Sequence, residues 1–404
     1  MPLWHAGYTP PPSPILSPTP GAPRRRRGPA FFMFDQRSPW HSLANFCLGI
    51  RSEFVAPERL PQRLLDEAET LLSVLLAIAM AHYLRVENVG WAAFSGYMVM
   101  RSSLHDSVYR GGLRIIGTAA GAMAAAVLAT QVGLAGHWLG PVIGLVGACT
   151  LFCAIRYTHG YAWLFTGLTF AMVALASLGT DNTDTVLYFA RTRVEEVACG
   201  TVACWFVALL SGQTVRRALP RGTVPTQPAT PGDPVKVDAR MVMHVVEAGV
   251  ALALIPLLGR WLGVDGLSQA AITVMAVMMV PPAALAAGGK AVTLRNIHRL
   301  VGCAAGAACA GIALWLMGSN WLAMTVMMSI GVMLGRHIEN SNRSFAYAGT
   351  QFSLVYLVVM VPDAYLNVSP EPGIVRLEGI VAGFVLIGLV RLANLLVRQR
   401  TVAD

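Results

Sequence analysis

Six long apolar runs, a proline-rich gap and then six more apolar runs leave few folds open to this chain of 404 residues. Crossing the hydrocarbon core of a bilayer takes roughly 20 largely apolar residues. Runs of that kind lie near residues 67–86, 88–104, 113–132, 138–155, 160–178 and 193–212. They return near 242–262, 266–287, 299–317, 321–336, 345–362 and 376–397. Only 13% of the residues are charged and 55% are hydrophobic, against about 25% charged in an ordinary soluble domain. The expected fold class is therefore an all-α polytopic membrane protein with about twelve transmembrane helices.

The two sets read as copies of each other. Arg110-x-x-x-Arg114-x-x-Gly117-x-Ala-Ala-Gly121-Ala recurs as Arg295-x-x-x-Arg299-x-x-Gly302-x-Ala-Ala-Gly306-Ala. Arg193-x-Glu195-x-x-x-x-Gly200 recurs as Arg376-x-Glu378-x-x-x-x-Gly383, Glu69 and Glu87 match Glu247 and Asp265 at one offset, and Arg156 matches Arg336 at an offset within a few residues of the others. Four such matches in one order mark an internal repeat. An even number of crossings per copy keeps both copies in the same orientation, so the expectation is two parallel six-helix repeats.

Charge sets the topology. With both termini inside, cytoplasmic segments hold 25 of the 30 Lys and Arg, and the outer segments keep only Arg85, Arg191, Arg193, Arg260 and Arg376. The positive-inside rule then gives N-in and C-in. The domain plan follows: a Pro/Arg-rich cytoplasmic tail over 1–37, an interfacial amphipathic segment over 38–66, and a first membrane repeat over 67–212. A cytoplasmic linker over 213–240, a second membrane repeat over 241–397 and a cytoplasmic end over 398–404 complete it. Residues 1–30 contain nine prolines and the run Arg24–Arg27 with no apolar stretch of signal-peptide length behind it, which reads as a disordered tail drawn to anionic lipid.

Several classes drop out. The net charge of +9 sits in gaps between apolar runs, which argues against a nucleic-acid partner. Neither HExxH, GxSxG, a Walker A loop nor a Rossmann glycine pattern is present, so an enzyme is not expected. The seven cysteines show no CxxC or Cys/His ligand spacing, and neither a metal nor a cofactor is expected.

The Arg-x-x-Gly-x-x-Ala-Gly entry to the third run and the paired Arg-x-Glu entry to the sixth resemble the fusaric-acid-resistance, or aromatic acid exporter, family. The resemblance spans roughly residues 60–212 and 240–400. It implies movement of organic anions, since members of the superfamily include proton-linked exporters of aromatic carboxylates and malate-conducting channels. Many exporters of the family carry sizeable cytoplasmic domains between or after the membrane sets, and none is read here.

Ionisable residues inside a bilayer cost ~2.5–3.5 kcal/mol each on insertion scales and so need a reason. Arg114 and Arg299 read as opening the third helix of each copy. There they either snorkel to lipid phosphate or bind a substrate carboxylate beside a helix N-terminus. Arg193 and Arg376 open the sixth helices on the outer side and join the substrate-binding candidates, with Ser95 and Tyr97 as hydrogen-bond donors and Tyr161 and Tyr347 as stacking faces. Glu195 can pair with Arg191 four residues earlier, whereas Glu378 has no such local partner and is a proton-coupling candidate. Glu69 and Glu247, about one turn inside the first helices, either pair with Arg63 and Arg240 or form a second proton site. Gly117, Gly121, Gly302, Gly306, Gly200 and Gly383 read as helix-packing positions. The second run of each copy, short in one and broken by Pro281-Pro282 in the other, points to the translocation path.

The leading expectation is a proton-coupled secondary exporter of aromatic or other organic carboxylates across the inner membrane. An organic-anion channel or uniporter without proton coupling is the alternative, and a non-transporting membrane scaffold stands behind it. The expected partners are a small organic anion, protons and membrane lipid, with a homodimer and a periplasmic adaptor left open.

Overall fold

The computed structural model describes residues 60–131, 136–179, 182–218, 237–281, 290–318, 320–341, 345–361 and 369–403. Among them every regular element is helical. The first six long helices are α1 (Leu60–Leu84), α2 (Val89–Val99), α3 (Leu104–Gln131), α4 (Leu139–Arg156), α5 (Gly160–Ala176) and α6 (Thr183–Gln213). After a single turn at Val215–Ala218 come α7 (Ala239–Leu254, running on as a 3-10 helix over Ile255–Arg260), α8 (Val264–Met278) and α9 (Lys290–Met317). The last three are α10 (Trp321–Glu339), α11 (Ala346–Met360) and α12 (Glu371–Ala403). The N-terminal tail, residues 38–59 of the interfacial segment and 219–236 of the linker lie outside the described residues.

Eight of the described helices are long and apolar enough to cross a membrane: α3, α4, α5, α6, α7, α9, α10 and α12, while α8 and α11 are apolar but shorter. α1 carries Arg63, Asp66, Glu67 and Glu69 in its first ten residues, and α2, at 11 residues, rises only ~16 Å. Large apolar side chains such as Leu72, Ile116, Met123, Leu145, Val250 and Leu396 face outward. An apolar surface that extensive is expected against lipid rather than water. The protein is a multi-pass membrane protein.

Helix ends depart from the apolar runs, for a local reason. The third helix begins at Leu104, nine residues before its apolar run, because Ser103 caps it. The Ser103 hydroxyl accepts from the Asp106 amide at 3.0 Å, the N-cap bond of a helix start, and donates to the Asp106 carboxylate at 2.7 Å. Asn182 caps α6 in the same way, accepting from the Asp184 amide at 2.9 Å. Arg114, Arg299, Arg193 and Arg376 thus do not open their helices. They stand one to three turns inside, where the backbone amides are already bonded, so the anion-binding helix terminus expected at Arg114 and Arg299 is absent. Residues 60–66, read as interfacial, form the first turns of α1, and residues 398–403, read as a tail, continue α12.

Extensive packing joins α3 to α5 and α9 to α11, and α2 and α8 pack along α6 and α12. Small residues make these approaches possible. A Cβ on Gly117 or Gly121 would meet the carbonyl oxygen of Ala162 or Thr166 on α5, one on Gly302 or Gly306 that of Ala348 or Phe352 on α11. Gly200 and Gly383 face Ala92 and Ala270 in the same way. Gly121→Leu should lower the melting temperature of the purified protein, since overpacking costs about 1–3 kcal/mol. Gly112→Ala and Gly311→Ala, whose Cβ would meet nothing, should raise it through helix propensity, by up to ~1 kcal/mol each.

The two halves of the chain meet in several helix contacts, two of which differ in chemistry. α4 lies on α7, with Gly140 and Gly144 against Ala253 and Gly249. α10 lies on α1 through polar groups: His337 Nδ1 is 2.7 Å from Glu67 Oε1, and Arg63 donates to the Asn340 carbonyl at 2.9 Å. Nearby, Arg336 donates to the Met100 carbonyl at 2.9 Å and Tyr97 to the Glu339 carboxylate at 2.7 Å.

Candidate functional site

The short helices α2 and α8 are buried along almost their whole length, and beside them lies a cavity of about 420 Å³. Arg101, Arg110, Arg114, Arg193, Arg295, Arg299 and Arg376 line it, with Glu196 and Glu339 as the two acidic lining residues. Aromatic rings complete the wall: Trp91, Phe94, Tyr161, Phe165 and Tyr347. Seven guanidiniums against two carboxylates leave the wall with an excess of positive charge.

Arg114, Arg299 and Arg376 are each 2% exposed or less, and among the described residues none of the three pairs with a carboxylate. Uncharged groups hold them instead. Arg114 donates to the Tyr161 hydroxyl and to Ser95 Oγ, both at 3.3 Å. Its guanidinium carbon lies 4.2 Å from the centre of the Phe165 ring and 5.3 Å from that of Phe94. Arg299 donates to Thr273 Oγ1 at 3.2 Å and to Gln351 Oε1 at 2.6 Å. Arg376 stands over Phe94 at 5.7 Å. Ring faces stabilise a desolvated cation by ~2 kcal/mol without neutralising it. Arg114 Nε, Arg299 Nη2 and both Nε and Nη1 of Arg376 find no acceptor among the described residues. A buried donor left in that condition costs about 1–3 kcal/mol, which a bound anion would recover.

Other expected site residues fall into place or outside it. Tyr161 and Tyr347 line the cavity, but each already has one ring face covered, by Arg110 at 4.1 Å and by Arg295 at 4.9 Å. Ser95 reaches the cavity through Arg114, while Tyr97 is fully buried and given to Glu339. None of the four proton-coupling candidates lines the cavity. Glu195 is half-buried and paired with Arg191 at 2.6 Å, and Glu378 is exposed on the outer face of α12. Glu69 binds Ser211 and Arg216 rather than Arg63. Glu247 binds Arg391 at 3.2 Å and Asn394 at 2.6 Å rather than Arg240.

Sequence reasoning missed the two acids that do line the cavity. Glu339 takes Arg336 at 3.2 Å and Arg101 at 3.6 Å, at the C-terminal end of α2. Glu196 takes Arg193 at 2.8 Å and Asn88 Nδ2 at 2.7 Å, at the N-terminal end. A second cavity of about 470 Å³ lies beyond that N-terminal end, among Asn88, Asp265, Ser369 and Glu371. Trp91, Met172 and Arg193 line both cavities and so form the partition between them.

The model of the fusaric acid resistance protein-like family matches residues 76–207 and again residues 250–390, together well over half of the chain. The chain belongs to that family. Each match begins within the first long helix of one half and ends in the sixth, so every cavity arginine except Arg101 to Arg114 and Arg193 falls in the second matched stretch, and those four fall in the first. No curated protein and no solved structure matches the chain.

Proposed function

We propose that this fusaric-acid-resistance-like protein is a secondary exporter of aromatic or other organic carboxylates across the inner membrane, driven by proton exchange. The observation that carries the reading is the group of three buried guanidiniums without carboxylate partners around one cavity walled by aromatic rings. Guanidinium binds carboxylate in a matched two-pronged geometry, and the rings suit the planar body of an aromatic acid. A volume of about 420 Å³ lies within the range of small-molecule sites.

The architecture we assign to it is two parallel six-helix repeats with twelve crossings, N-in and C-in. Support comes from the twofold family match and from corresponding contacts. Arg110 covers Tyr161 and donates to the Met98 carbonyl, as Arg295 covers Tyr347 and donates to that of Met279. In this orientation the second cavity opens outward. Two cavities in series behind a thin partition also suit a channel or uniporter, which is the second reading.

Purified protein in liposomes, given labelled benzoate, separates the readings. Accumulation of benzoate against its gradient under an imposed pH difference, abolished by a protonophore, is the expected result. Flux that only follows the electrochemical gradient of the anion would establish the channel, and absence of flux for benzoate and other carboxylates would overturn transport of this class.

A further inference from the structure

We propose that Glu196 is a resident counter-anion of the transport path: its carboxylate occupies Arg193 at the partition until a substrate carboxylate takes its place. The inference rests on the organic-anion reading above. Arg193 belongs to both cavities, so an anion passing between them meets this guanidinium. Glu196 is completely buried and holds it at 2.8 Å. The Trp91 and Phe189 rings lie over the same guanidinium at 4.8 and 5.0 Å, leaving its charge to be satisfied within its plane.

The pair is not needed merely to make a buried arginine tolerable. At the matching place in the second half, three residues after Arg376, stands Gly379, and Arg376 is as deeply buried with no carboxylate partner among the described residues. Of the two corresponding arginines, Arg193 and Arg376, only the one on the partition has been given an acid three residues on. Asn88 gives Glu196 a second hold at 2.7 Å through an uncharged donor. When a substrate takes Arg193, the Glu196 carboxylate keeps that hydrogen bond and stays at the partition. It returns to Arg193 as the substrate leaves, which speeds release at the expense of affinity.

Glu196→Gln keeps the shape and the acceptor but removes the competing charge. In full-length protein, benzoate affinity by calorimetry should then tighten at least about tenfold, while the maximal benzoate flux in liposomes falls. Glu196→Asp should restore the flux, and Asn88→Ala, which removes the uncharged donor that competes with Arg193 for the Glu196 carboxylate, should weaken benzoate binding. A merely structural role would move folded yield and not split affinity from rate in this way. Unchanged or weaker binding in Glu196→Gln at wild-type yield would overturn the proposal. If that variant does not fold, unchanged binding in Asn88→Ala does so. A wild-type chain that neither binds nor moves benzoate would remove the reading on which it rests, and the proposal with it.

Discussion

Arg376→Gln should cut the efficiency of benzoate transport by about 30-fold or more, and the same variant should melt at a higher temperature than the wild type. The two effects share one cause. Arg376 is 1% exposed and two of its guanidinium nitrogens have no acceptor among the described residues. A buried charge without a partner costs several kcal/mol, and Gln removes that cost. Removing one member of a desolvated charge pair costs ~2–5 kcal/mol of binding, which sets the loss of transport. Sites kept for function often oppose stability, and a gain in melting temperature together with a loss of flux is hard to obtain from a structural arginine. A fall in both, or normal flux, would take Arg376 out of the site.

The second large effect lies at the other end of α2. Arg336→Ala should destabilise the protein by ~3–5 kcal/mol, the usual outcome when one partner of a buried ion pair is removed. Arg336 is 3% exposed and holds the Glu339 carboxylate at 3.2 Å and the Met100 carbonyl at 2.9 Å. It also stands over the Tyr97 ring at 5.7 Å. Its loss leaves a carboxylate and a carbonyl in the interior with fewer donors and loosens α10 from α1 and α2. Arg156, its counterpart on the two-copy reading, is only half-buried at the end of α4, and its replacement by Ala should cost no more than ~1 kcal/mol. Thermal melting of both variants in detergent checks the contrast, and equal shifts would refute it.

Much of this architecture was legible because lipid makes apolar runs conspicuous. What hid was the polar start of α1, α3, α6, α9 and α12. Residues 104–112 look like a loop because His105, Asp106, Ser107 and Arg110 break the apolar pattern, yet Ser103 caps a helix there. Arg114, Arg299, Arg193 and Arg376 stood out as ionisable residues within apolar surroundings, and all four line the cavity. The acids misled. Glu195 and Glu196 are adjacent, and the pairing of Glu195 with Arg191 four residues away drew attention from the three-residue spacing of Arg193 and Glu196, which puts that pair on the inner face. Gln351 and Phe165 carried no signal, since an amide or a phenyl ring in an apolar run acquires meaning only when a neighbouring helix brings a guanidinium to it.

The different company kept by the two central arginines has a consequence for how a ligand can lie. On the two-copy reading, a homodimer of one six-helix ancestor would present every wall residue twice, and twofold symmetry would force both to be identical. Joining the copies in one chain lifts that rule. Phe165 beside Arg114 has Gln351 beside Arg299 as its counterpart, and Glu196 has Gly379. A symmetric cavity accepts an asymmetric molecule in two equivalent poses. This one does not, so a molecule with a ring at one end and a charge at the other has a single preferred heading inside it.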